Sequence, residues 1–285
     1  MTKLLSANFL RLRKTNLIWG SIGICVVLGA LAALGEFQFL VSTGTDLSVP
    51  EVAQYKAPLD KQFFQYASYI GILAAVFIPL FFGTEYSDGA IRNKVMTGHS
   101  RVAIYLVNLI TGFAASLMCM AGYMLSCLVV GTPLLGWFTK PYSLILTAIF
   151  GSVLMLAAFC AIFTFVTMNI SRKSTSVLIC VLGVFLLLIL ALYLFSRLDA
   201  PETYQGLEMN SAGEMVWQEY PNDQYISGTK REIYQFIYDL LPAGQSLQYT
   251  GLIFTDPGRL MVMSLALSVL FTGAGAALFR RKDLK

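Results

Sequence analysis

Uncharged apolar runs, each long enough to cross a bilayer, recur along this chain and leave few folds open to it. They cover residues 15–35, 62–84, 102–139, 141–171, 174–196 and roughly 259–279. About 20 apolar residues suffice for one helical span. In lipid no water satisfies the backbone, and runs that are unbroken rather than alternating read as helices. With 56% apolar and only 13% charged residues, the 285-residue chain has too little polar surface for an ordinary soluble domain. The expectation is an all-α, polytopic membrane protein of six transmembrane helices, forming a single transmembrane domain over residues 1–285.

Local signals refine the spans. A straight helix over 102–139 would be about 57 Å long, too long for one crossing. Gly131, Pro133, Gly136 and Trp137 mark where it leaves the membrane. Pro79 is expected to kink span two near its inner end, and Tyr66 and Tyr69 to anchor its outer end. Residues 1–14 carry Lys3, Arg11, Arg13 and Lys14, with Leu5, Phe9 and Leu12 at helical spacing. That pattern predicts an interfacial helix on an anionic membrane surface. Ala30-Leu31-Ala32 offers small residues for signal cleavage. The run over 15–35 exceeds a usual signal core, so an uncleaved first span is expected.

Charge sets the expected orientation. With the N-terminus inside and six spans, the inner side holds Lys3, Arg11, Arg13, Lys14, Arg92, Lys94, Arg101, Arg172, Lys173, Arg280, Arg281, Lys282 and Lys285. Against them stand only Glu85, Asp88 and Asp283. Basic residues in short loops stay cytoplasmic, so both termini are predicted there.

Between the second and third runs lies a polar, basic island, Gly83–Arg101. A helix is predicted over 84–98. Thr84 or Ser87 would cap it, and Glu85 and Asp88 would sit near its positive end. Arg92 and Lys94 follow in later turns, and Gly98 stops it. Ile91, Val95 and Met96 make a short apolar stripe. A simple reversal needs only a few residues, so this island looks built for a partner.

The segment Gly83-Thr-Glu-Tyr-Ser-x-Gly-x-Ile-Arg-Asn-Lys-x-x-x-Gly-His-Ser-Arg101 resembles the stretch after span two in permease subunits of ATP-binding cassette (ABC) transporters of the type-2 exporter family. The ending Phe279-Arg280-Arg281-Lys282-Asp283-Leu284-Lys285 is also similar to theirs. The resemblance implies that 84–98 is a coupling helix docking on a separate ATPase dimer. Carried over, the contact region is Glu85, Arg92, Asn93, Lys94 and Arg101. It also implies a bacterial plasma membrane, a second permease copy or a similar permease, and re-entrant helices before the last span.

The outer segments are polar. Residues 36–61, with Glu36, Asp46, Pro50, Glu51, Pro58 and Asp60, read as an outside loop. Within the extracellular segment 197–258, residues 199–228 read as a solvated loop. In 229–254, Ile233, Phe236, Ile237, Leu240 and Leu241 recur at helical spacing. Pro242-Ala243-Gly244 breaks the helix, and Leu247, Leu252, Ile253 and Phe254 follow. Neither half is long enough to cross. A helical hairpin lying in or dipping into the outer leaflet is expected over a small patch packed on the span tops.

Several chemistries lack their residues. No G-x-x-x-x-G-K-[ST] occurs, so ATP hydrolysis would belong to a partner and the chain itself is expected to be no enzyme. No cofactor, no metal and no nucleic-acid partner are expected; membrane lipids are. His99, the sole histidine, reads as a surface residue of the docking loop. Cys25, Cys119, Cys127, Cys160 and Cys180 all lie in apolar runs and read as packing residues. The runs carry no Asp, Glu, Lys or Arg between their ends, which argues against an ion-coupled carrier or an ion pore. Gln62, Gln65, Asn108, Ser116, Ser126, Thr164, Thr167 and Asn169 join helices or line a cleft. Gly23, Gly29, Ala33, Gly112, Gly122, Gly273 and Ala277 permit close helix contact. The expected function is export of a hydrophobic or amphipathic cargo, such as a peptide antibiotic or lipid-like molecule. The alternatives are a non-transporting scaffold or sensor whose acidic outer loop binds a ligand, and an intramembrane enzyme.

Overall fold

The structure, a computed structural model, describes residues 1–44, 58–209, 215–254 and 256–282. Asp46, Pro50 and Glu51 of the expected outer loop, and Asp283, Leu284 and Lys285 of the C-terminal motif, lie outside the described residues. Among the described residues, six helical segments are long and apolar enough to cross a membrane: Asn16–Ser42, Pro58–Ser87, Arg101–Leu135, Tyr142–Asn169, Lys173–Leu198 and Pro257–Arg281. The chain is thus a mostly helical, multi-pass membrane protein.

In chain order, α1 is Thr2–Lys14 and α2 is span one, Asn16–Ser42. Span two is broken at Gln65 into α3 (Pro58–Phe64) and α4 (Tyr66–Ser87). The short α5 (Ala90–Met96) follows, then α6 (Arg101–Leu135), α7 (Tyr142–Asn169) and α8 (Lys173–Leu198) as spans three to five. Strands β1 (Thr203–Met209) and β2 (Met215–Pro221) come next, then α9 (Gly228–Leu240), α10 (Pro242–Gly251) and span six, α11 (Pro257–Arg281).

Spans two and four form the centre. In their most apolar stretches 61% and 56% of residues are buried, against 22% in spans one and five and 17% in span six. Phe64, Phe77, Phe81 and Phe82 of span two fill the middle. Span one lies along span three, span six along span four, and span five along span two. Small residues set these approaches. A Cβ at Gly29 would stand 2.5 Å from the Tyr123 carbonyl oxygen across the span one–three contact. Side chains at Gly151 and Gly275 would overlap the hydroxyls of Tyr249 and Tyr105. Gly23 and Gly273, by contrast, face open space among the described residues.

Several boundaries differ from expectation. The helix of span two, with Pro79 inside it, extends to Ser87, three residues past the uncharged run. Span three is one helix to Leu135, passing through Gly131 and Pro133; Gly136, at φ +85°, ends it. Residues 199–228 are not merely a solvated loop: β1 and β2 pair antiparallel, with Tyr204 opposite Tyr220 and Leu207 opposite Trp217. The two tyrosine rings stack at 5.8 Å.

At the end of the bundle away from the chain termini, buried carboxylates tie the elements together. Asp60 Oδ2 accepts from the Thr139 amide at 3.0 Å and the Thr139 hydroxyl at 2.9 Å, and Oδ1 accepts from the Lys140 amide at 3.3 Å. Asp239 accepts from Gln235 at 2.7 Å and Gln248 at 3.1 Å, and pairs with Arg259 at 3.3 Å. A buried charge is tolerated when donors surround it in this way.

Candidate functional site

At the terminal end of the bundle several polar residues gather around one buried carboxylate. Glu85 sits in the last turn of α4, and its side chain is fully buried. Arg11 of α1 donates to Oε1, Lys94 Nζ of α5 donates to the same atom at 2.7 Å, and Asn108 Nδ2 of α6 donates to Oε2 at 3.1 Å. Asn8 of α1 closes the ring. Its amide donates to Asn108 Oδ1 at 2.7 Å, and its own Oδ1 accepts from Lys94 at 3.0 Å. Arg11 also donates to the Phe81 carbonyl and the Thr84 hydroxyl, both at 2.6 Å, and lies 4.4 Å above the Phe81 ring. Two cations against one carboxylate leave this clasp with a net charge of +1.

A second clasp holds the C-terminal end. Tyr86 donates its hydroxyl hydrogen to the Met168 carbonyl of α7. Lys282 donates to the Tyr86 hydroxyl oxygen at 3.0 Å and to the Met168 carbonyl at 3.1 Å. Arg101 donates to the Arg280 carbonyl at 3.2 Å and to that of Lys282. Burial pulls the Lys282 ammonium down to about 8 from an ordinary 10.5.

Between the clasps lies a small apolar core. Ile91 of α5 packs with Leu4 of α1, Ile104, Tyr105 and Val107 of α6, Met168 of α7 and Phe279 of α11. Gly89, at φ +68°, turns the chain out of α4 into α5, and Gly98, at φ +85°, turns it out again. Non-glycine residues adopt such φ values only with strain. The seven-residue α5 is therefore pinned by Ile91 and Lys94 on one face. Its other face leaves Arg92, Asn93 and Met96 exposed, Met96 to 70%.

The residues expected at a contact surface thus divide. Arg92 and Asn93 point outward. Lys94 is partly buried and bonded to Glu85, and Arg101 is bonded to the C-terminal carbonyls. Glu85 faces inward and offers no surface to a partner. The helix predicted over 84–98 is shorter, Ala90–Met96, with Gly89 rather than Thr84 or Ser87 at its N-cap. Val95 packs on the small core as expected, but Met96 does not. In α1, Leu4, Asn8 and Leu12 are buried within the protein, while Leu5 is partly buried and Phe9 exposed.

Sequence reasoning missed Asn8, Arg11, Tyr86 and Lys282 as members of this assembly and gave Asn108 no special place. One signal was available: Asn8 occupies the i+4 position between Leu4 and Leu12, where a buried amide requires a partner. His99 is half-buried, its backbone amide donating to the Lys94 carbonyl at 3.2 Å.

At the opposite end, Pro242 separates α9 from α10 as expected. Ile233 and Phe236 are exposed to 52% and 50%, while Ile237 and Leu240 are partly covered. Pro242, Gly244, Gln245, Gln248 and Tyr249 of α10 are buried, and α10 packs against spans two, four and five. A side chain at Gly244 would overlap the Tyr238 carbonyl, so glycine permits the sharp elbow.

Compared with known proteins, the chain matches no family model, no curated protein and no solved structure.

Proposed function

We propose that this chain is the membrane-spanning subunit of an ATP-driven ABC exporter in a bacterial plasma membrane. In this reading both termini are cytoplasmic, and the chain pairs with a second copy or a similar permease. A separate ATPase dimer grips α5, which acts as the coupling helix. One observation supports the reading most: α5 is bonded to α1 and spans two and three through the Glu85 clasp. Its Ile91 core adds spans four and six. A push on the free face reaches five of the bundle's elements through contacts already made. Coupling requires that the ATPase bind α5 differently in its two nucleotide states. The contact residues are Arg92, Asn93 and Met96, while Glu85, Lys94 and Arg101 transmit the load rather than meet the partner.

In the same reading α1 is the interfacial helix. The α9–α10 elbow is a re-entrant pair, with exposed Ile233 and Phe236 toward the outer leaflet. The apolar spans suit a hydrophobic or amphipathic cargo.

The test is Arg92→Glu combined with Met96→Asp, with the complex purified from membranes of its native host through a tag on this chain. Losing a central contact typically costs an interface about 1–2 kcal/mol or more. ATP hydrolysis recovered with the tagged chain should fall about tenfold while the amount of inserted chain stays constant. Unchanged recovery of ATPase activity would remove the docking role.

A further inference from the structure

Beside the Glu85 clasp a groove of about 700 Å³ opens between α1, the end of span two and the start of span five. Its polar lining is Arg11, Lys14, Thr15, Thr84, Asp88 and Lys173. Its apolar lining includes Leu10, Leu17, Leu80 and Phe81. We propose that this groove binds the phosphate headgroup of an anionic phospholipid. The proposal rests on the six-span fold and stands apart from the exporter reading.

Charge comes first. Lys14 is exposed and Lys173 half-buried, and neither has a hydrogen-bond or acidic partner among the described residues. The clasp behind Arg11 adds a net +1. Asp88, exposed and accepting from Ser87 at 3.2 Å, is the one acidic lining residue. Two lysines with unpaired ammonium groups on one groove make an anion site in search of its anion.

Geometry then holds one lysine in place. A Cβ at Gly83 would stand 2.8 Å from Lys173 Cγ and 3.2 Å from its Cβ. The Lys173 stem therefore lies on bare Gly83 backbone, which keeps span five close to span two at this level.

Depth favours a lipid over a soluble phosphate. Lys14 immediately precedes the residues that open span one, Thr84 lies in the last helical turn of span two, and Lys173 opens span five. All three stand where helices leave the apolar layer. Trp19, 59% exposed with its indole N–H on the Arg13 carbonyl at 3.0 Å, marks the same level in the way interfacial aromatics do. Leu17 and Leu80 continue the groove along the spans, where acyl chains would run. Basic pockets between span ends are the usual seat of such headgroups.

The experiment is native mass spectrometry of the full chain in detergent, loaded with equal phosphatidylglycerol and phosphatidylcholine. Wild type should retain phosphatidylglycerol preferentially. Each juxtamembrane lysine contributes about fivefold, so Lys14→Gln with Lys173→Gln should lower the preference about 25-fold. Asp88→Asn should raise it, a gain that misfolding would not produce. Arg13→Gln with Arg172→Gln removes the same charge from exposed residues outside the groove and should lower the preference far less. Equal loss in that control, or no change in the lysine and Asp88 variants, would overturn the site. Displacement of the lipid by millimolar inorganic phosphate would make it a soluble-phosphate site and overturn the lipid assignment.

Discussion

Glu85 is the residue on which the terminal end turns. Its carboxylate is shared by Arg11 and Lys94 and steadied by Asn108. Removing one partner of a buried pair costs about 3–5 kcal/mol, because the remaining charges lose their counterion. Glu85→Ala should therefore lower the thermal midpoint in detergent sharply. Arg11→Met should do so less, since a third of its side chain already meets solvent. The reverse order would show that Arg11 is held by Phe81 and Thr84 rather than by the carboxylate. Lys282 gives a pH signature. Burial holds its ammonium at about 8 instead of 10.5. The folded chain therefore binds fewer protons than the unfolded chain between those values. The cost of charging Lys282 is full below about pH 8 and relieved as pH rises toward 10.5. Acylation followed by peptide mapping should find Lys282 half-reactive near pH 8, while exposed lysines lag. A profile like theirs would show that the ammonium is not desolvated.

At the scale of elements, the six spans were legible because each is an uncharged run, and lipid-exposed backbone has no alternative to a helix. The ends were not legible. Thr84, Glu85 and Tyr86 read as the start of a new helix, yet they finish span two. Their polar groups are satisfied by Arg11 and Met168, far away in sequence, and by Lys94 from the next helix. Hydropathy sees only the neighbours along the chain. The β1–β2 hairpin was missed for another reason. Tyr204, Leu207, Trp217 and Tyr220 carry strand propensity, but the many polar residues between them masked it. Close helix contacts were readable in kind and not in place. Gly29, Gly112 and Gly122 do meet neighbouring helices, whereas the two closest approaches to tyrosine hydroxyls, at Gly151 and Gly275, follow only from tertiary packing. Gly275→Ala would push span six off Tyr105. Overpacking of this kind costs about 1–3 kcal/mol, and thermal unfolding in detergent should register it. Gly273→Ala, two residues away in open space, should be neutral. Equal effects would show that packing against Tyr105 does not set the cost.

Across the whole molecule, two of the buried polar networks sit at opposite ends of an apolar bundle. One, around Glu85, joins α1, α5 and spans two and three. The other, around Asp239, joins α9, α10 and span six. Span two touches α5 at one end and α10 at the other, so a displacement at the terminal end has a continuous route to the opposite end. That route would serve the proposed ATP-driven exporter only if α5 faces the cytoplasm, where a nucleotide-binding partner would bind it. The described cysteines are all buried, so Met96→Cys, at a site 70% exposed, supplies one reactive thiol. A membrane-impermeant maleimide should label it in permeabilised cells and leave it untouched in intact ones. Labelling in intact cells would put α5 on the outer face and contradict the account.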